Sequence, residues 1–117
     1  VHSLTELQLL KGRFPKEIKL YMATTTDGEP LGGTLIYETS NVVHTQYISA
    51  SPDGKTMGAL DLLFDHIINK VYKGRNGYFD FGKSTEAGGT VLNQQLIHQK
   101  EGFGGRGVCY DTYEWKI

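Results

Sequence analysis

The stretch Val42–Leu63, VVHTQYISASPDGKTMGALDLL, decides the fold. It begins with the alternation of a strand, passes a Pro-Asp-Gly loop and enters a long amphipathic helix without a second break. In that helix Leu60, Leu63, Phe64, Ile67, Ile68 and Val71 recur at helical spacing, Asp61, Asp65, Asn69 and Lys70 hold the other face, and Gly74 and Gly77 close it. Tyr78–Gly82 then reads as a short strand, and a strand reached through a crossover helix pairs in parallel. A Gly-containing loop entering a helix leaves backbone N–H groups where an anion can sit. Parallel strands joined by a crossover also open a crevice beyond their carboxyl ends. Ser51–Leu60 is therefore the candidate site, although an ordinary strand-to-helix connection has the same form.

Upstream, Ser3 to Glu6 reads as a capping box, and Leu4, Leu7, Leu9 and Leu10 give a short helix ending near Gly12. From Glu17 to Thr25 the chain alternates, with Ile18, Leu20 and Met22 expected on the core face and Lys19 and Tyr21 on the other. Asp27–Pro30 is turn chemistry, Leu31–Thr39 returns antiparallel, and Ser40-Asn41 makes a second tight connection into Val42. Gly32 and Gly33 mark a bulge or a close approach to the backbone. Downstream, Lys83–Gly89 is a polar loop, Thr90 an N-cap and Val91–Glu101 a helix closed by Gly102. A Gly-rich loop through Gly107 leads to a last strand, Val108–Ile117. The order is αβββαβαβ: an α+β domain with a mixed, mostly antiparallel five-stranded sheet, one parallel βαβ crossover and three helices.

The 117 residues fit a single domain, 1–117, and the start at Val1 rather than Met is read as the C-terminal part of a longer chain. Twelve basic against thirteen acidic residues leave a net charge of -1, which draws the chain to neither DNA nor an anionic membrane. No apolar run is long enough to span a bilayer. Cys109 is alone, which excludes an internal disulfide and fits a reducing, cytoplasmic setting.

Several familiar strings do not survive their context. Asp80-Phe81-Gly82 matches the kinase metal motif by letters, but the other kinase elements are missing from the chain. Gly102–Gly107 fits GxGxxG, yet follows a helix and precedes a strand, the reverse of the dinucleotide context. His2, His44, His66 and His98 show no metal spacing, so no metal is expected.

The order of elements and several residue patterns resemble the GNAT superfamily of N-acyltransferases, and within it the GNAT-like domains of Fem-type (FemAB-like) aminoacyltransferases of bacterial cell-wall metabolism. The resemblance covers nearly the whole chain and lacks the first strand and helix of a GNAT domain. The family's Arg/Gln-x-x-Gly-x-Gly/Ala loop, whose amides hold the CoA pyrophosphate, has its nearest match in Lys55-Thr56-Met57-Gly58-Ala59-Leu60. The family's helical Asn, the Tyr seven residues on and the following Gly-Phe are matched in outline by Asn93, Lys100 and Gly102-Phe103. Lys100–Gly105 and Tyr78–Gly82 look more like the Fem-type branch.

The resemblance implies an acetyltransferase that moves an acyl group from acetyl-CoA or another acyl-CoA to a primary amine of a small molecule or peptide. The alternative is a non-catalytic or half-site domain of a two-domain Fem-like protein acting in cell-wall or polysaccharide metabolism, with a dimer mate or a preceding GNAT-like unit as partner. Implied CoA contacts are Ile48, Ser49, Lys55, Thr56, Met57, Gly58, Ala59 and Asn93. Acyl transfer to an amine needs a base, an oxyanion donor and an acid for the leaving group. His44 and Glu86 are the candidate bases, although a strand histidine is more often packed or solvated and a loop carboxylate more often solvated. Lys100 is the candidate acid, set against a solvated helix end. Tyr47 and Tyr110 are candidate substrate contacts, as is Arg106, whose glycines serve equally a turn or an anion contact.

Overall fold

A computed structural model describes residues 1–116. The chain divides into two compact units, Val1–Gly82 and a second beginning at Lys83.

In the first unit, helix α1 (Leu4–Arg13) starts with the expected capping box: Ser3 Oγ accepts from Glu6 N, and the Glu6 carboxylate accepts from Ser3 N. That backbone hydrogen bond holds the Glu6 carboxyl below its ordinary pKa. Strands β1 (Ile18–Thr24), β2 (Pro30–Glu38) and β3 (Val42–Ala50) form an antiparallel meander, and β4 (Tyr78–Asp80) joins β3 in parallel, giving the order β1-β2-β3-β4. The crossover comprises α2 (Pro52–Met57), α3 (Ala59–His66) and a π-helical turn, Ile67–Val71. Ile36 and Val43 from the sheet meet Leu63 and Ile67 from the crossover, with Tyr21, Ala23, Leu60, Tyr72 and Phe79 around them. Phe64 is buried edge-on against Phe79 and Phe81.

The face of β1 is the reverse of that expected. Tyr21 and Ala23 pack toward the crossover, whereas Leu20 and Met22 are 61% and 47% exposed. Alternation marks two faces, but only the helix layer decides which is covered. Ile18 alone of the Leu20 face is buried, where Lys11 Nζ donates to its carbonyl and its N–H reaches Phe14. The Pro-Asp-Gly segment is a helical turn and not a loop, because Ser51 caps it and Pro52 occupies its first position. Its Gly54 lies so close to β2 that an added Cβ would fall 2.7 Å from the Leu31 carbonyl carbon. Gly58 then takes φ 70°, ψ 34° and separates α2 from α3. The π-helical turn shifts the helical phase, so Val71 ends exposed instead of continuing the stripe.

The second unit holds a two-stranded hairpin, β5 (Thr85–Glu86) with β6 (Val91–Leu92), and helix α4 (Gln94–Gly102). The helix expected from Val91 starts three residues later, because Asn93 and not Thr90 caps it: Asn93 Oδ1 accepts from Leu96 N. The expected strand Val108–Ile117 is not formed over 108–116, which carry no regular structure; Ile117 lies outside the described residues. Alternation alone does not make a strand without an edge to pair with. Among the described residues the main sheet therefore has four strands and not five, β5 and β6 form a second, two-stranded sheet, and four α-helices replace the three expected.

Candidate active site

Strands β3 and β4 pair over three residues each, with Val42 opposite Tyr78, Val43 opposite Phe79 and His44 opposite Asp80. The β3–β4 pairing ends at Asp80, while β3 runs on to Ala50. Thr45 Oγ1 donates to the Asp80 carbonyl at 3.1 Å and Gly82 N donates to Asp80 Oδ1 at 2.8 Å, so the end of β4 is pinned. On the sheet face away from α3, the other oxygen of Asp80 lies 2.7 Å from His44 Nδ1. A carboxylate only accepts, so Nδ1 carries the proton and the lone pair of a neutral His44 sits on Nε2. Nε2 lies 2.9 Å from the side-chain amide of Gln46, a group that can turn either its oxygen or its nitrogen toward the ring. The two side chains are about one third open to solvent, 32% for His44 and 39% for Asp80.

The same level of the sheet carries Tyr37, which stands opposite His44 on β2 with ring centroids 6.3 Å apart. Its hydroxyl is buried with no hydrogen-bond partner among the described residues, and that burial, with Tyr47 adding to it, raises its pKa. Tyr47 is engaged: its hydroxyl accepts from His2 N at 3.0 Å and meets His2 Nδ1 at 2.8 Å. Next to these groups the β2–β3 ladder slips, Leu35 facing Tyr47 but Ile36 facing Thr45. Gln46 is the extra residue of this bulge, and its backbone lies outside the regular ladder.

Two helix starts fall within the candidate stretch Ser51–Leu60. The start of α2 is already satisfied, since Ser51 Oγ accepts from Gly54 N and Pro52 has no N–H to offer. Asp53 adds a negative charge there. The start of α3 is different: Gly58 supplies no side-chain cap, and Lys55, Thr56 and Met57 on its approach are exposed. Ala59 is buried beneath this start, and Asp61 stands in the first turn of α3. Ile48 is half-buried and Ser49 exposed on the part of β3 that β4 leaves unpaired.

Among the residues of the second unit, Glu86 Oε1 accepts from Asn93 Nδ2 at 3.1 Å, which ties the hairpin to the cap of α4. Lys100 is buried and donates from Nζ to the Lys83 carbonyl at 2.6 Å. Arg106 is exposed and donates to the Gly105 carbonyl, and Tyr110 is exposed. Of the three candidate catalytic residues, His44 thus belongs to the first unit, and Glu86 and Lys100 to the second.

A family model described as acetyltransferase (GNAT) domain matches residues 6–88. The chain belongs to the GNAT acetyltransferase family. The match takes in all four sheet strands and the crossover of this GNAT domain, together with His44, Asp80 and the Lys55–Leu60 segment; Asn93, Lys100, Arg106 and Tyr110 lie beyond it. Comparison with curated proteins and with solved structures returned no match. GNAT domains use acyl-CoA as co-substrate. Asp80 is the residue that sequence reasoning missed as a site residue, having met it in a short strand and in a false kinase motif. The signal was present: once β3 and β4 pair in parallel from Val42 and Tyr78, His44 must face Asp80. No helix among the described residues is long and apolar enough to cross a membrane.

Proposed function

We propose that this GNAT domain transfers an acyl group from acyl-CoA to a primary amine of a small molecule or peptide, with His44 as general base. The observation that carries the reading is the His44–Asp80 pair, set where β3 and β4 part. The incoming amine takes the position that the Gln46 amide holds against Nε2, gives its proton to that nitrogen and attacks the thioester carbonyl. The backbone N–H at the Gln46 bulge is the donor for the oxyanion, and the thiolate of CoA leaves with the proton. Acyl-CoA lies along the unpaired edge of β3 at Ile48 and Ser49, and its pyrophosphate meets the uncapped start of α3 at Gly58 and Ala59, with Lys55, Thr56 and Met57 alongside. Tyr47 remains a proposed substrate contact within the first unit. Within the family the chain sits nearest the Fem-type domains, on Tyr78–Gly82 and Lys100–Gly105. A CoA-derived donor suits a cytoplasmic setting.

Calorimetric titration with CoA and acetyl-CoA, paired with amine acetylation assays, tests this reading. Saturable binding that Gly58→Glu abolishes is expected, as is a loss of transfer of about 10²–10⁴-fold in His44→Ala. Absence of CoA binding, or full activity without His44, overturns it.

A further inference from the structure

The His44–Asp80 pair is more than an amine acceptor demands. Once its ammonium has lost a proton, a primary amine attacks with a lone pair it already carries, and a nearby base suffices. A hydroxyl becomes a competent nucleophile only if its proton leaves as the new C–O bond forms. That transfer needs an accepting nitrogen fixed in place and a partner for the positive charge the imidazole gains. Both are built here. Asp80 Oδ2 holds Nδ1–H at 2.7 Å, which commits the lone pair to Nε2, and it stabilises the imidazolium that follows. The carboxylate is itself held on its other oxygen by Gly82 N, and the main chain that carries it is held by Thr45 Oγ1 at the Asp80 carbonyl.

We infer that the site also transfers acyl groups to hydroxyl acceptors, making esters, with Asp80 as the positioning residue that enables it. The inference rests on the acyl transfer proposed above. Nε2 of His44 removes the hydroxyl proton while the oxygen attacks the thioester carbonyl. The tetrahedral oxyanion collapses, the C–S bond breaks, and the imidazolium returns the proton to the departing thiolate. Alcohol and acyl-CoA are consumed, ester and free CoA are released, and no other reactant is required. The acceptor hydroxyl displaces the Gln46 amide from Nε2, a neutral group that meets the ring at 2.9 Å.

The test uses the full chain, acetyl-CoA and two small probes: 2-methoxyethylamine, which offers only an amine, and N-acetylethanolamine, which offers only a hydroxyl. Products are separated by mass and by lability to hydroxylamine, which cleaves esters and spares amides. Ester formation from the hydroxyl probe is expected, and Asp80→Asn should lower it about 10²–10⁴-fold while amide formation falls by a smaller factor. In parallel, 15N NMR of His44 should show the Nδ1–H tautomer in the wild type and lose it in Asp80→Asn, a readout independent of turnover. Amide without ester, an equal fall of both products in Asp80→Asn, or an unchanged tautomer overturns the inference while leaving amine acylation standing. Failure to form either product overturns both readings.

Discussion

Replacing Glu38 by Gln tests how the end of the sheet at the β2–β3 turn is held together. Glu38 Oε2 accepts from Lys19 Nζ at 2.8 Å and from the Tyr72 hydroxyl at 2.8 Å, and Oε1 meets Arg75 Nη1 at 3.0 Å. Arg75 also donates to the Thr39 carbonyl, so one carboxylate joins β1, β2 and the segment that follows the crossover helix. Burial pushes the Glu38 pKa up, but the hydrogen bonds from Lys19, Tyr72 and Arg75 outweigh it and hold the carboxyl below its ordinary value. Tyr72 responds in the opposite sense: its own burial, and then its bonds to Tyr21 and Glu38, raise its pKa. Each ion pair is partly open to solvent and contributes about 0.5 kcal/mol, and the bond from Tyr72 to a charged acceptor adds about 1 kcal/mol over a neutral one. Glu38→Gln should therefore cost about 2 kcal/mol at pH 7, or at least about 4 °C of Tm for each kcal/mol in a domain of this size.

The sign of the pH dependence follows from the depressed folded pKa. The contribution of Glu38 is complete above the unfolded value, about 4.3, and is lost as pH falls through the lower folded value. Thermal unfolding followed by circular dichroism at pH 7 and near pH 3 is the assay. The gap between wild type and variant should narrow toward zero in acid. Equal Tm values at pH 7, or a gap that persists in acid, would refute the reasoning.

Two further substitutions probe the backbone. Gly54→Ala places a methyl group against the Leu31 main chain, which cannot rotate away, so a loss of about 2–3 kcal/mol is expected in chemical denaturation, with weaker CoA binding because α2 must move. Ala87 has φ 50°, the left-handed region that a Cβ disfavours, and Ala87→Gly should stabilise the second unit by about 1 kcal/mol, read as slower proteolysis of the 84–93 loop.

What was legible in the sequence was whatever is locally encoded. The Ser3–Glu6 box, the meander and the crossover follow from caps, turns and periodicity over a few residues. The parallel pairing of β4 followed from connectivity. Features decided by distant contacts were not legible: which face of β1 the helices would cover, or whether Val108–Trp115 would find a partner strand. Pro-Asp-Gly read as a loop because each residue favours turns, although Ser51-Pro52 is equally a helix start. His44 was legible as a candidate base beside Glu86, but its carboxylate neighbour stayed hidden, because only the register of two strands brings His44 and Asp80 together.

That register has a kinetic consequence. The residues of the pair lie 36 positions apart along the chain, whereas each turn of the meander closes over a handful. Closing the longer loop costs more chain entropy and returns only three residues of pairing, so docking of β4 should complete the sheet after β1 to β3 have formed. The same short ladder should open first in the folded protein, and amide exchange at Phe79 should run faster than at Ile36. Every such opening would part the imidazole from its carboxylate, so the population of competent sites would be governed by how firmly one three-residue strand stays docked.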